Sequence, residues 1–318
     1  MVAGNNNLDV FLRTALSNDD SDKDRYSKEL VCLDAFLKAA LNEDVGTGDI
    51  TTVACVPETA VSKGSFIAKE PGVISGLGVL CRVFKQLDEA VCVTPFVSDG
   101  DAVNTGDVIA SISGPSRAIL TGERTALNLL QHMSGIATKT AEAVGKVSGT
   151  KAKILDTRKT TPGLRAFDKY AVTCGGGTNH RFNLTDGILI KDNHIKAAGG
   201  ITNAVQQVRS LLPEQVDHPD NKKPAPLLPD CPVEVETESL EQVKEALDAG
   251  ADIIMLDNMT PETMTKAVNM IGGRALTEAS GNMGERDLKE IAKTGVDFIS
   301  IGALTHSVKA MDISLKFE

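Results

Sequence analysis

None of the six cysteines forms a C-x-x-C pair or stands at zinc-ligand spacing. Cys32, Cys55, Cys81, Cys92, Cys174 and Cys231 are scattered. That argues against a disulfide framework and a thiolate metal site, and for a reduced, cytoplasmic protein. Positive charge is not in excess: the net charge is −10. A broad basic face for nucleic acid or an anionic membrane is thereby disfavoured, although a local basic pocket stays open. No apolar run approaches the length that spans a bilayer. The opening "MVAGNNNLDV" lacks the basic start and apolar stretch of a secretory signal. Tryptophan is absent and aromatic residues make up only 3% of the chain. No strand leads into a G-x-G-x-x-G turn, so nothing marks a dinucleotide-binding opening.

What is present divides the chain in two. Residues 1–30 are polar, and "SNDDSDKDR" reads as loop or frayed helix. The run "SKELVCLDAFLKAALNEDVG" has Leu30, Leu33, Phe36, Leu37 and Leu41 at helical spacing and stops at Gly46. Between Val61 and Gly114 the pattern changes to short strand-like runs ("SFIAKE", "GVISG", "VCVTPFV", "DVIASISG") separated by turn residues. A hairpin of this rhythm also occurs in biotinyl and lipoyl carriers, but "AVNTG" has no lysine to carry the group. The stretch "TGERTALNLLQHMSGIATKTAEAVGKV" is predicted helical, with Ala126, Leu130, Met133 and Ala137 on one face and Thr121 as N-cap.

From Ala152 the chain alternates between strand ("AKILDT", "GILIKD", "VEVET", "DIIMLD", "ALTEAS", "FISIG") and amphipathic helix. Six β-then-α units predict a parallel sheet with helices outside it. Glu236, Asp257 and Glu278 recur at intervals of 21 residues, a repeat that suits a (β/α) barrel short of eight units. The expected class is therefore α/β: an incomplete (β/α) barrel over 135–305 with an N-terminal α+β, sandwich-like domain over 1–134. The segment 306–318 is expected to pack with the latter. Residues 213–232 hold six of the twelve prolines and read as a surface insertion.

At or just past each strand run sits a charged or phosphate-compatible residue: Arg158 with Lys159, Lys191 with Asp192, Glu236, Asp257, Ser280 with Gly281, and Gly302. In a (β/α) barrel these ends converge on one mouth, where active sites are built. Singly, each is equally a loop charge or a helix cap, Asp257 before Asn258 being an example; six together favour a site. Arg158, Lys159, Lys191 and the pair His180-Arg181 supply positive charge, and arginine forks suit carboxylates. Glu236 and Asp257, beside those cations, call for a divalent ion or sugar hydroxyls between them and an anion. "EASGN" and "SIGA" offer small residues whose backbone N–H groups face a phosphate. The three glycines before His180 also read as a helix stop.

With "EDVGTGDIT", "ERTALNLLQHMSGIAT", "DTRKTTPGLRAFDKYAV", "GGGTNHR", "ILIKDNH", "VEVE", "LDN", "EASGN" and "IGALTHS" in hand, the chain resembles the quinolinate phosphoribosyltransferase family from Leu41 to Phe317. The resemblance implies a type II phosphoribosyltransferase, that is, a pentosyltransferase. Such an enzyme moves phosphoribosyl from phosphoribosyl pyrophosphate (PRPP) to quinolinate with loss of CO2, in NAD biosynthesis. It implies Mg2+ with PRPP, no organic cofactor, and a homodimer, or a hexamer built as a trimer of dimers, with shared sites. Carried over, Arg124, Arg158, Thr160, His180, Arg181 and Lys191 resemble the quinolinate-binding set. Lys159, Ser280, Gly281, Asn282, Gly302 and His306 resemble the PRPP and phosphate set. Glu236 and Asp257 match the carboxylates at the metal and ribose, and Lys159, Lys191, Glu236 and Asp257 form the catalytic set. Lys69, in "AKEPG", stands where some members have an arginine that reaches the neighbouring subunit's site. Two other readings compete: a barrel aldolase or decarboxylase using Lys159 or Lys191 as a Schiff base, and a non-catalytic relative that only binds phosphorylated ligands.

Overall fold

A computed structural model describes residues 27–211 and 231–318. The polar stretch "SNDDSDKDR" and nearly all of the proline-rich insertion lie outside the described residues. In chain order the first elements are α1 (Ser27–Val45), α2 (Ile50–Cys55), β1 (Val61–Ala68), β2 (Gly72–Val73), α3 (Leu77–Leu87), β3 (Cys92–Pro95), β4 (Ala102–Val103), β5 (Val108–Pro115) and α4 (Ser116–Val147). There follow β6 (Lys153–Leu155), α5 (Arg165–Cys174), β7 (Ile188–Ile190), α6 (Asp192–Ala198), α7 (Ile201–Leu211), β8 (Val233–Thr237) and α8 (Leu240–Asp248). The chain ends with β9 (Ile253–Asp257), α9 (Pro261–Ile271), β10 (Leu276–Ser280), α10 (Leu288–Lys293), β11 (Phe298–Ser300), α11 (Ala303–His306) and β12 (Ile313–Phe317).

These elements form two compact units. The first is built on an antiparallel sheet in the order β12-β1-β5-β3, with a small β2-β4 ladder. On β1, alternation buries Phe66 and Ala68, and Phe66 meets Phe84 of α3 with ring centroids 6.3 Å apart. The predicted apolar face of α4 is fully buried at Ala126, Leu130, Met133 and Ala137. Its start differs from expectation: α4 begins at Ser116, not at Thr121. Ile119, two turns before Ala126 on the same face, is fully buried, so the earlier start covers more apolar surface. The hydroxyl of Thr121 instead donates to Asp49 at 3.3 Å.

Residues 160–177, with α5, belong to this first unit as well, and the chain leaves it after Glu142, inside α4, rather than at the 134/135 boundary read from the sequence. Physically, α4 runs for 32 residues without a proline to end it. Three contacts hold α5 there. Phe167 packs on Phe36 at 5.0 Å, Asp168 lies 2.7 Å from His132 Nε2, and the Tyr170 hydroxyl donates to Asp99 at 2.8 Å. The glycines that follow α5 do more than stop it: a Cβ on Gly177 would lie 2.7 Å from Thr140 Cγ2 of α4, so only glycine permits that approach.

The second unit is a six-stranded sheet in the order β6-β11-β10-β9-β8-β7, every pairing parallel. All six strands read from the sequence are present. Residues Ile253–Leu256 of central strand β9 are buried without alternation, as expected when helices cover both faces. The helix α8 starts at a Ser239 cap and α9 at a Thr260 cap followed by Pro261. Asp257 is therefore not the cap of the helix that follows it. Among the described residues, no helix is long and apolar enough to cross a membrane.

Candidate active site

Because the six strands are parallel, their C-terminal ends lie along one edge of the sheet, and register sets the depth of each side chain. Ser280 on β10 is level with Asp257 on β9. Glu236 on β8 is level with Met255, so Asp257 lies two residues further toward the strand ends. Lys191, just after β7, places its Nζ 3.0 Å from Glu236 Oε2. At this edge two adjacent strands therefore carry carboxylates and a third ends in a lysine.

Past the ends of β9 and β10 the backbone turns sharply. Asn258, Gly281 and Asn282 all have positive φ, at 54°, 96° and 51°. Successive residues of this kind turn backbone N–H groups inward, a geometry that binds anions. A Cβ on Gly281 would lie 2.7 Å from the backbone nitrogen of Asn258, so the two strand ends meet backbone to backbone. At the end of β11 a Cβ on Gly302 would lie 3.0 Å from Lys159 Cδ and 3.1 Å from His306 Cδ2. The bare glycine thus lets Lys159 and His306 converge, and the Thr305 hydroxyl donates to the Lys159 carbonyl at 2.8 Å. Ser280, Gly281, Asn282, Gly302 and Lys159 accordingly stand at or just past the ends of three adjacent strands, with His306 at the end of the short helix α11.

The guanidinium groups form a second cluster. Arg181 is 9% exposed and donates from Nη1 to the Gly187 carbonyl at 2.8 Å. Burial first, and then the nearby charge of Arg158, make its proton easier to lose than is usual for an arginine. Glu234 and Asp186 offset part of that repulsion, and the two like charges together favour a further anion. Of the remaining residues singled out from the sequence, Arg124, Thr160 and Lys69 belong to the antiparallel unit. Arg124 and Lys69 are exposed, and Thr160 Oγ1 accepts a hydrogen bond from Arg165 at 3.1 Å.

Sequence reading missed the residues beneath this surface. Glu234 and Glu278 are fully interior carboxyls, 4% and 1% exposed. Their oxygens and His180 Nε2 all lie within 4.8 Å of one another. Burial raises Glu234 to about 7, and burial together with the Glu234 charge raises Glu278 to about 8. His180 Nε2 is 3.1 Å from Glu234 and 3.6 Å from Glu278, and the Ser300 hydroxyl donates to Glu278 at 2.5 Å. A signal was available in the pattern: residues two apart on a strand share a face. "VEVE" therefore puts Glu234 below Glu236, and "EAS" puts Glu278 below Ser280.

A histidine with two carboxyls suggests a cation site, but the hydrogen bonds oppose one. His180 Nδ1 accepts the Arg181 N–H at 2.7 Å, so the ring proton is on Nε2 and no lone pair faces the glutamates. Glu236 and Asp257 differ. They present oxygen donors alone from adjacent strands, the chemistry that suits Mg2+, and so fit the ion that the resemblance implies.

A parallel α/β sheet whose strand ends gather arginines, lysines, two carboxylates and a glycine-lined cradle defines an enzyme for polyanionic substrates. Residues 136–316 match the family described as quinolinate phosphoribosyl transferase, C-terminal domain, and residues 49–134 match its N-terminal domain. The chain belongs to the quinolinate phosphoribosyltransferase family. Among its relatives, the probable nicotinate-nucleotide pyrophosphorylase [carboxylating] of Bacillus subtilis is 44% identical over 283 residues, 88% of this chain and 92% of that protein. The chloroplastic nicotinate-nucleotide pyrophosphorylase [carboxylating] of Arabidopsis thaliana is 45% identical, over 90% of this chain and 83% of its own. The solved nicotinate-nucleotide pyrophosphorylase of Francisella tularensis superposes with a TM-score of 0.82 at 40% identity, covering 91% of this chain and 96% of that one.

Proposed function

We propose that this protein transfers phosphoribosyl from PRPP to quinolinate and releases CO2, giving nicotinate mononucleotide and pyrophosphate. The observation that carries the reading is the convergence, on one sheet edge, of the Arg158–Arg181 pair with Lys159, Lys191, Glu236 and Asp257. A diacid and a polyphosphorylated sugar need that density of cations. The strand order β6-β11-β10-β9-β8-β7 is that of a ring cut between its first and second strands, which supports an incomplete (β/α) barrel with its site at the strand C-termini.

In this reading Arg158, Arg181 and Lys191 hold the two carboxylates of quinolinate, and His180, whose ring nitrogens are engaged by Glu234 and by the Arg181 N–H, supports Arg181. Ser280, Gly281, Asn282 and Gly302 receive the 5′-phosphate, while Lys159 and His306 face the pyrophosphate. The pyridine nitrogen lone pair forms the bond to ribose C1 as the C1–O bond to pyrophosphate breaks. Glu236 and Asp257 stabilise the positive charge that develops on the ribose. Glu236 and Asp257 would also hold Mg2+, which would supply charge neutralisation for the leaving pyrophosphate. The C2–carboxylate bond then breaks and leaves its electron pair on C2, beside the quaternary nitrogen, where a proton is taken up. No organic cofactor is required, and the protein mainly orients and neutralises.

A Schiff-base role suits neither lysine, since Lys159 is exposed and Lys191 is paired with Glu236. Such a lysine must be desolvated or pressed by another cation. Shared sites in a homodimer, or in a hexamer built as a trimer of dimers, would bring Lys69 from the partner subunit. Six large exposed apolar residues on the antiparallel unit (Ile50, Val53, Val61, Phe96, Val108 and Phe317) offer surface for such pairing. None of the five cysteines described is in a disulfide, which suits a reducing cytoplasm.

The test is to incubate the protein with PRPP, Mg2+ and quinolinate and measure nicotinate mononucleotide. Product is expected with quinolinate and not with nicotinate. Arg158→Ala is expected to lower kcat/KM for quinolinate at least about 100-fold, the scale for losing a charged bidentate anchor, with an unchanged circular dichroism spectrum. Near-normal turnover in that variant overturns the assignment.

A further inference from the structure

The segment from Thr178 to Gly187 contains no regular helix or strand, yet it carries Arg181, whose placement decides how the diacid is held. Something must hold it still. Its only ladder contact among the described residues is a single bridge from Thr178 to Leu155. The rest is done by side chains: Asp156 Oδ1 accepts the His180 N–H at 2.8 Å, and His180 Nδ1 accepts the Arg181 N–H at 2.7 Å. The imidazole therefore acts as a strut between the backbone of Arg181 and the interior. At its far end Nε2 is 3.1 Å from Glu234 on β8 and 3.6 Å from Glu278 on β10. Glu278 is in turn held by the Ser300 hydroxyl on β11.

Three strands thus converge on one histidine through two carboxyls that are almost entirely withdrawn from solvent. Apolar side chains of similar volume would fill that interior at lower cost than two adjacent acids. They would not accept the Nε2–H, and the ring would lose the partner that sets its tautomer and its angle.

We propose that Glu234 and Glu278 are positioning residues for diacid recognition: Glu234 accepts from His180 Nε2 at 3.1 Å, Glu278, held by Ser300 and hydrogen-bonded to Glu234, keeps Glu234 in place, and the imidazole so fixed sets, through Nδ1, the backbone of Arg181. They set the affinity for quinolinate without touching it. This rests on the function proposed above, and it separates diacid binding from PRPP binding. The phosphate cradle, at Ser280, Gly281, Asn282 and Gly302, has no hydrogen bond to the pair among those described for these residues.

The experiment is steady-state kinetics of Glu278→Ala, Glu278→Gln, Glu234→Ala and Ser300→Ala, each first checked for a wild-type circular dichroism spectrum. Glu278→Ala and Glu234→Ala are expected to raise KM for quinolinate about tenfold, the usual scale for losing a partner behind a ligand-orienting histidine. KM for PRPP is expected to stay within about twofold. Glu278→Gln keeps an acceptor oxygen and is expected to restore most of the affinity. Ser300→Ala, the mildest change and the surest to fold, is expected to shift KM for quinolinate in the same direction by a smaller factor. Labelling the five histidines with 15N reads the tautomer directly: an Nε2–H signature for His180 in the wild type, altered in Glu234→Ala. An unchanged KM for quinolinate in both alanine variants overturns the proposal, as does an equal rise for PRPP or an Nδ1–H tautomer in the wild type. A wild-type chain that makes no nicotinate mononucleotide overturns the function itself and the proposal with it; normal wild-type turnover with indifferent variants overturns only the proposal.

Discussion

Replacing Gly281 by alanine tests whether two neighbouring strand ends are joined as tightly as the cradle requires. At φ +96° any L-residue is strained, at about 1–2 kcal/mol. The new Cβ would also meet Asn258, 2.7 Å from its backbone nitrogen and 2.6 Å from its Cγ. The backbone cannot rotate away as a side-chain tip would, so overpacking adds about 1–3 kcal/mol. Gly250 is the control: its φ is +84°, and nothing lies within 4 Å of its Cβ position. Gly250→Ala incurs the conformational cost alone, about 1–2 kcal/mol, whereas Gly281→Ala should lose about 2–5 kcal/mol. With no tryptophan in the chain, urea unfolding followed by circular dichroism is the suitable assay. If Gly281 lines the phosphate cradle, KM for PRPP should rise in Gly281→Ala and stay put in Gly250→Ala. Equal stability losses together with an unchanged KM for PRPP would refute the reasoning.

Two further expectations concern stability. Burial and the Glu234 charge raise the Glu278 carboxyl from the ordinary 4.5 to about 8, so between those values the folded chain binds a proton that the unfolded chain has released. The stability attached to that proton is complete below about 4.5 and is lost as pH rises through about 8. Glu278→Gln should therefore be more stable than wild type at pH 8.5 and lose that advantage toward pH 5, in thermal melts across that range; a pH-independent difference would contradict it. In the antiparallel unit, Asp168 is fully buried and 2.7 Å from His132 Nε2. Asp168→Ala should cost about 2–3 kcal/mol in urea unfolding, and a loss below about 0.5 kcal/mol would show that the pair contributes little.

Much was legible in the sequence because the parallel sheet writes a simple pattern. A buried strand followed by an amphipathic helix repeats six times, and polar residues mark the end of each apolar run, so the strands and the residues at their C-termini could be named without coordinates. The start of α4 was less legible. Thr121 is a fair capping residue, but the buried side chain of Ile119 draws the helix back to Ser116, and a capping preference of about 1 kcal/mol yields to that burial. The glycines after α5 were ambiguous for a related reason: a turn and a close helix contact use the same residue, and only the neighbouring Thr140 tells them apart.

The residues alone determined the chemistry available at the strand ends: guanidinium and ammonium groups for carboxylates and phosphates, two carboxylates for the sugar and its metal, and glycines where backbone must approach. Those properties belong to residue type and period, which are local. Tertiary structure decided which groups share an interior. Glu234 and Glu278 are 44 positions apart on strands separated by β9, and their meeting beneath His180 depends on sheet order, register and the inward face of the pleat acting together. Burial then gives two ordinary glutamates unusual proton affinity, because the free energy of a charge depends on what surrounds it and not on the chain that carries it.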